Sequence, residues 1–174
     1  DQFGLEQTVV VGEGMGAAVA VELARTSDRI AGLVLLGGAA ASFDVAAEIE
    51  SLSLITAGRA RREFDRTGYA PSTEREIYQK AFGEWVKTDP RATLGDRKAQ
   101  ANWSLGDQGA AISAPVLVLS GEHEEGDAAA LAAAFGNGSH GTIADAGRRA
   151  VIEQPAAVAT TINSFIADRL EGQS

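Results

Sequence analysis

Residues 8 to 18 read Thr8-Val9-Val10-Val11-Gly12-Glu13-Gly14-Met15-Gly16-Ala17-Ala18, and this stretch decides the fold. The β-branched run makes a short strand, the glycines make a tight turn, and the proline-free, alanine-rich run to Arg25 makes a helix. A strand that turns so sharply into a helix is the frame of the G-x-S-x-G elbow, in which the turn lifts a serine hydroxyl above a sheet. Gly14 stands in the serine's place. The turn survives; the attacking atom does not.

Outward from the elbow, the Gly12/Gly16 pair predicts a close approach of helix to strand, because neither residue carries a Cβ. Ser27-Asp28 marks the next turn, and Ile30 to Leu36 is an almost wholly apolar run, as in a parallel strand buried on both faces. Residues 8 to 36 therefore form a β-α-β unit. From Phe43 to about Asp107 the periodicity becomes helical. Val45, Ile49, Leu52, Leu54, Ile55 and Phe64 predict helix over 44–66. Thr73 and Glu76 match a capping box for a helix through Ile77, Phe82 and Trp85 that stops before Asp89-Pro90, and another helix runs from about Pro90 to Trp103.

Strand character returns at Pro115-Val116-Leu117-Val118-Leu119-Ser120-Gly121 and ends in an acidic loop, Glu122-His123-Glu124-Glu125-Gly126-Asp127. A helix over Ala128 to Phe135, a short strand at Gly141 to Ala144 and a terminal helix over Pro155 to Leu170 complete the chain. The last helix places Val158, Ile162, Phe165 and Ile166 on one face. This alternation specifies an α/β fold with a parallel sheet. Residues 1–42 and 108–174 form its core and 43–107 an all-helical insertion.

A chain of 174 residues is one domain, and 45% hydrophobic with 22% charged residues is an ordinary globular composition. The net charge of −9 argues against nucleic acid or an anionic membrane as partner, since both reward basic surfaces. The absence of cysteine excludes disulfides and thiolate metal sites. No apolar run approaches the ~20 residues needed to span a bilayer, and no signal-peptide pattern is present; a cytoplasmic location is the expectation. Asp1-Gln2-Phe3-Gly4-Leu5-Glu6 has no initiator Met and reads as the last turn of a helix closed by Gly4. A preceding part, removed or on another chain, is expected.

In order and in landmarks the chain resembles the α/β-hydrolase superfamily from the nucleophile elbow onward. The elbow T-V-V-V-G-E-G-M-G, the strand I-A-G-L-V-L-L-G-G, the helical insertion, the strand A-P-V-L-V-L-S-G-E and the closing D-A-G-R-R-A-V-I-E-Q-P all look like that family's features. The resemblance implies a sheet whose elbow strand is internal, flanked by N-terminal strands that this sequence lacks, and a helical cap at 43–107. It also implies a Ser-His-acid triad, checkable residue by residue. The nucleophile position matches Gly14. The acid position matches Glu124, or less well Asp127. The histidine position matches Arg148, which stays protonated and cannot act as a general base. The backbone N–H of Met15 would be the surviving oxyanion donor.

Gly14 has two readings: a decayed catalytic position, in which glycine relieves the elbow's backbone strain, or an opening for a ligand atom. Glu13 stands where the family often carries His; a carboxylate favoured by the helix dipole is its simpler role. Among the acidic residues of its loop, His123 suggests a metal, but no H-x-x-x-H spacing supports one, and a solvated polar loop is expected. His140 follows a turn and is expected to be exposed. Arg59, Arg61, Arg62 and Arg66 form either an anion grip or a solvated face paired with Glu63 and Asp65. Trp85 and Trp103, with Phe82 and Tyr78, line a ligand pocket or form the insertion's own core.

The expectation is a protein of this fold without a working triad, acting as a small-molecule-binding or a structural and regulatory module, with no cofactor and no metal. The alternative is a hydrolase or lyase whose missing groups come from an absent N-terminal segment or a partner chain. Either way, Thr8 to Val11 would present a bare edge, so an N-terminal half or a second copy of the chain is expected to cover it.

Overall fold

Among the described residues four strands pair as one parallel sheet in the order β1-β2-β3-β4: β1 (Thr8–Glu13), β2 (Ile30–Leu36), β3 (Val116–Gly121) and β4 (Gly138–Ile143). The computed structural model describes Gly4, residues 6–37 and residues 45–169. The expected helix end before β1 falls mostly outside these residues, as does the expected boundary at 42/43. The register carries one row straight across the sheet, Val11 to Val34 to Leu117 to Ser139.

Parallel strands must be covered on both faces, and the helices do this. On one face Leu33, Leu35, Val116 and Val118 pack against Ala17, Ala20 and Val21 of α1 (Met15–Thr26). Leu105 and Ile112, which flank a 3-10 turn at Gly106–Ala111, and Phe135, just beyond α5 (Ala128–Ala133), complete that cluster. On the other face Val34, Leu36, Leu117, Leu119 and Ile143 meet Ala150 of α6 (Ala150–Glu153) and Val158 and Phe165 of α7 (Pro155–Arg169). Ile162 and Ile166 pack on the same cluster, as the terminal helix's apolar face predicted. Consecutive residues of β2 and β3 thus enter opposite cores, which is why those runs lack polar alternation.

Among the described residues three α-helices lie between β2 and β3: α2 (Ala46–Thr56), α3 (Arg75–Lys87) and α4 (Pro90–Gln100). The helix expected over 44–66 stops at Thr56. Gly58, at φ 70°, takes the left-handed turn after the helix; its N–H bonds Ile55 O and that of Arg59 bonds Leu54 O, the paired closure of a glycine-terminated helix. Residues 57–74 are irregular. The expected Thr73 capping box is also corrected: Glu74 starts α3 without a side-chain cap, and the Thr73 hydroxyl donates to Glu153 instead. Asp89 does cap α4, accepting from Arg91 N at 2.8 Å with Pro90 in the first turn. The last strand starts at Gly138 rather than Gly141, its polar Gly-Ser-His-Gly-Thr sequence being that of an exposed edge.

β1 forms the other edge. Val11 is 51% exposed, and Val19 and Leu23, one turn apart on α1, are 51% and 44% exposed. No helix among the described residues is long and apolar enough to cross a membrane.

Candidate functional site

Because the strands are parallel, the segments that follow them emerge at one edge of the sheet. Gly14 follows β1, Glu124 follows β3 and Arg148 follows β4. The fold therefore brings to the same side the three positions that the resemblance would match to a triad.

Gly14 has φ 56° and ψ −118°, a conformation open to glycine and strained for any other residue. The turn is held by the Gly14 N–H donating to Leu36 O at 3.0 Å and the Ala17 N–H donating to Gly14 O at 3.1 Å. The sharp strand-to-helix turn expected from the sequence is thus present at Gly14. Among the described residues, a Cβ built on Gly14 would have only Gly37 O within 4 Å, at 3.9 Å. Met15 opens α1, where the first N–H groups of a helix have no intrahelical acceptor.

Arg148 lies beside this turn through its backbone. A Cβ on Gly37 would come 2.7 Å from Arg148 O and 3.2 Å from Glu13 Cγ. Its guanidinium turns away, toward Gly68 and toward Asp65, with Nη2 4.0 Å from Asp65 Oδ2. Asp65 accepts from the Thr67 N–H at 2.8 Å and the Thr67 hydroxyl at 2.7 Å, and these bonds, aided by the charges of Arg148 and Arg149, hold its carboxyl below the usual range. Glu13 closes β1 with Oε1 3.9 Å from Arg149 Nη1. Both ion pairs are long and half exposed and contribute little stability. Glu124 Oε2 accepts from the Gly121 N–H at 3.2 Å, so the acid-position carboxylate is turned toward its own strand end.

The remaining sequence candidates separate. Trp85 belongs to a ring cluster with Phe64 and Phe82 at centroid separations of 5.7 and 5.5 Å. Arg62 sits 4.2 Å over its ring and donates to Trp85 O and Thr88 O, closing the end of α3. Arg66 similarly stands 5.4 Å from the Tyr78 ring. Two of the four clustered arginines are therefore occupied with aromatic rings. Tyr69, 4.8 Å from Tyr78, has its phenol pushed up by burial. Trp103 packs on the core under α1 and donates its indole N–H to Glu22 Oε1 at 2.9 Å. Glu22 is about two turns along α1 from the elbow, so Trp103 is core rather than a neighbour of Gly14. His140 is exposed, on β4 rather than after a turn.

One residue that the sequence reading quoted without a role proves central. Glu153 is only 8% exposed and accepts from Ala70 N at 2.7 Å, Thr73 Oγ1, and Gly147 N at 3.0 Å. It ties the irregular 57–74 segment to the loop carrying Arg148. The signal was a carboxylate placed beside buried positions of a short helix, legible only once its partners, about 80 residues earlier, are known. Gly147 shares in this contact: a Cβ there would lie 2.7 Å from Gly68 O and 2.8 Å from Tyr69 C.

Comparison with known proteins agrees with this architecture. A family model described as the alpha/beta hydrolase family matches residues 1–161. Among solved structures, a thermophilic esterase from Thermogutta terrifontis is similar at 25% identity over 92% of this chain and 65% of its own, with a TM-score of 0.77. An esterase from Exiguobacterium antarcticum is similar at 17% identity, covering 95% of this chain and 68% of its own, also at TM-score 0.77. An enol-lactonase from Burkholderia xenovorans LB400 is similar at 19% identity, covering 94% and 67%, at TM-score 0.71. The chain spans about two thirds of the length of each. No curated protein sequence matches it.

Proposed function

We propose that this chain, which belongs to the alpha/beta hydrolase family, is a small-molecule-binding member that no longer performs serine hydrolysis. The observation that carries the reading is Gly14: the elbow conformation at φ 56° and ψ −118° is kept while the side chain it serves to present is absent. Arg148 at the histidine position supports it, since a guanidinium cannot accept the nucleophile's proton. The Met15 N–H and the space above Gly14 would remain to receive a ligand carbonyl or carboxylate, with the helices between β2 and β3 acting as a cap. Esterases and a lactonase among the similar structures favour a ligand of ester or lactone chemistry.

The test is turnover and labelling. Activated esters should not be hydrolysed above background, and a serine-directed phosphonate should leave the protein unlabelled. Stoichiometric labelling, mapped to a serine such as Ser120 or Ser42 (the latter outside the described residues), would overturn the reading in favour of a hydrolase with rearranged groups.

The same reading includes a partner on the β1 edge. Strand edges with free N–H and C=O groups pair with available strands, and this one is flanked by the exposed apolar side chains of Val11, Val19 and Leu23. The occupant is either a preceding segment of the protein or a second copy. Light scattering of the 174-residue chain at low micromolar concentration is therefore expected to give a mass above the 18.0 kDa monomer. A monomeric mass with slow hydrogen exchange at the Val9–Val11 amides that face away from β2 would sink this part, because the edge would then be covered from within the chain.

A further inference from the structure

Two loops at the carboxyl ends of β3 and β4 bring Glu122, His123 and Asp145 together so that one ligand atom from each lies within 4.8 Å of the others. No histidine spacing announced this, because the third donor comes from a different loop, 22 positions beyond His123. The expectation of a merely solvated loop rested on the local sequence alone. We propose that this triplet binds a first-row divalent cation, with one imidazole nitrogen and two carboxylate oxygens from the protein and water completing the coordination.

The donor set is the first argument. An imidazole between two carboxylates suits zinc, manganese or cobalt, whereas magnesium and calcium select oxygen alone. The second is charge. Two carboxylates are held close together, and no Lys or Arg among the described residues pairs with either of them. A cation would relieve their repulsion.

The third is that the site is already assembled on backbone. Glu122 N donates to Ile143 O and His123 N to Ala146 O, each at 2.9 Å, while Asp145 N donates to Glu122 Oε2 at 3.0 Å. That last bond fixes one Glu122 oxygen and leaves the other available. Gly121 permits the two loops to touch, since a Cβ there would overlap the Gly147 and Ala146 carbonyl oxygens. Metal–donor bonds of about 2.0–2.2 Å place donors roughly 3.4 Å apart around a tetrahedral ion. Closing from within 4.8 Å asks only for side-chain rotation, chiefly of the exposed His123 and Asp145. A bound ion would brace the loop carrying Glu124 against the loop carrying Arg148.

Untagged protein titrated calorimetrically with Zn²⁺ in a non-chelating buffer tests this, with Co²⁺ absorption as the spectroscopic readout. One ion per chain is expected, with the affinity falling about tenfold or more in His123→Ala and in Asp145→Asn. Asparagine is chosen because it tolerates the φ of 51° found at Asp145. His140→Ala, removing the other histidine of the chain, should bind as the parent does. Bound Zn²⁺ should also slow hydrogen exchange over residues 144–148 in the parent and not in the two variants. Absence of saturable binding, or a His123→Ala variant that binds Zn²⁺ as tightly as the parent, would overturn the proposal. None of these readouts depends on ester turnover.

Discussion

Gly12→Ala is expected to remove several kcal/mol of stability, while Gly16→Ala, in the first turn of the helix that follows, is expected to be neutral or stabilising. Gly12 is buried in β1, opposite Leu35 of β2, and α1 crosses directly over it. A Cβ there would overlap Gly16 O and lie 2.5 Å from its carbonyl carbon and 2.7 Å from Ala17 N. These are backbone atoms of a helix and cannot rotate aside. Relief requires lifting α1, which withdraws Ala17, Ala20 and Val21 from Leu33 and Leu35. Overpacking alone costs about 1–3 kcal/mol, and the lost helix contacts add to it, against a total of about 5–15 kcal/mol for a domain. A Cβ on Gly16 meets nothing within 4 Å among the described residues, and alanine is favoured over glycine inside a helix by up to about 1 kcal/mol. Denaturant midpoints followed by circular dichroism separate the two. Equal losses for both variants would show that the contact is shared rather than one-sided.

That asymmetry marks the limit of what the sequence discloses. The Gly12/Gly16 spacing announced a close approach, but only the coordinates say which glycine must lack a Cβ and which merely lends its backbone. The strands were legible because β2 and β3 bury successive residues in opposite cores, leaving unbroken apolar runs. The first helix of the insertion was overextended because Phe64 continued an apolar period that Gly58 had already ended. Thr73 has the residue type of a cap, yet the buried Glu153 carboxylate takes its hydroxyl. Long-range partners decided each of these, and no local pattern encodes them. The same holds at the candidate site. Glu124 and Arg148 could be named as candidates from their loops, whereas Glu153 meets Ala70 and Thr73, and Asp145 meets Glu122, from distant parts of the chain.

Gly14→Ser is expected to destabilise the protein by about 1–3 kcal/mol, and the double variant Gly14→Ser with Arg148→His to acquire serine-directed reactivity that the parent lacks. The cost of the single change comes from the backbone, because φ 56° with ψ −118° is strained for a residue with a Cβ. Among the described residues the nearest atom to that Cβ is Gly37 O, at 3.9 Å. The introduced hydroxyl would stand beside the Met15 N–H. Phosphonate labelling of the single variant should be slow, since no base accepts its proton. Arg148 lies beside the elbow through its backbone, as its carbonyl oxygen against Gly37 shows, and its long guanidinium leaves the site toward Asp65. An imidazole on the same backbone is shorter and loses the attraction to Asp65, so it should turn toward the hydroxyl. Glu124, rotated off Gly121 N, is the carboxylate available to orient it. General-base assistance contributes about 10²–10⁴-fold, so the double variant should label at least about a hundredfold faster than Gly14→Ser alone. A structure of the double variant decides the assignment. If the introduced hydroxyl and imidazole face apart, beyond about 3.2 Å, then Gly14 and Arg148 are not the nucleophile and base positions, and the proposal of a lost triad falls with them.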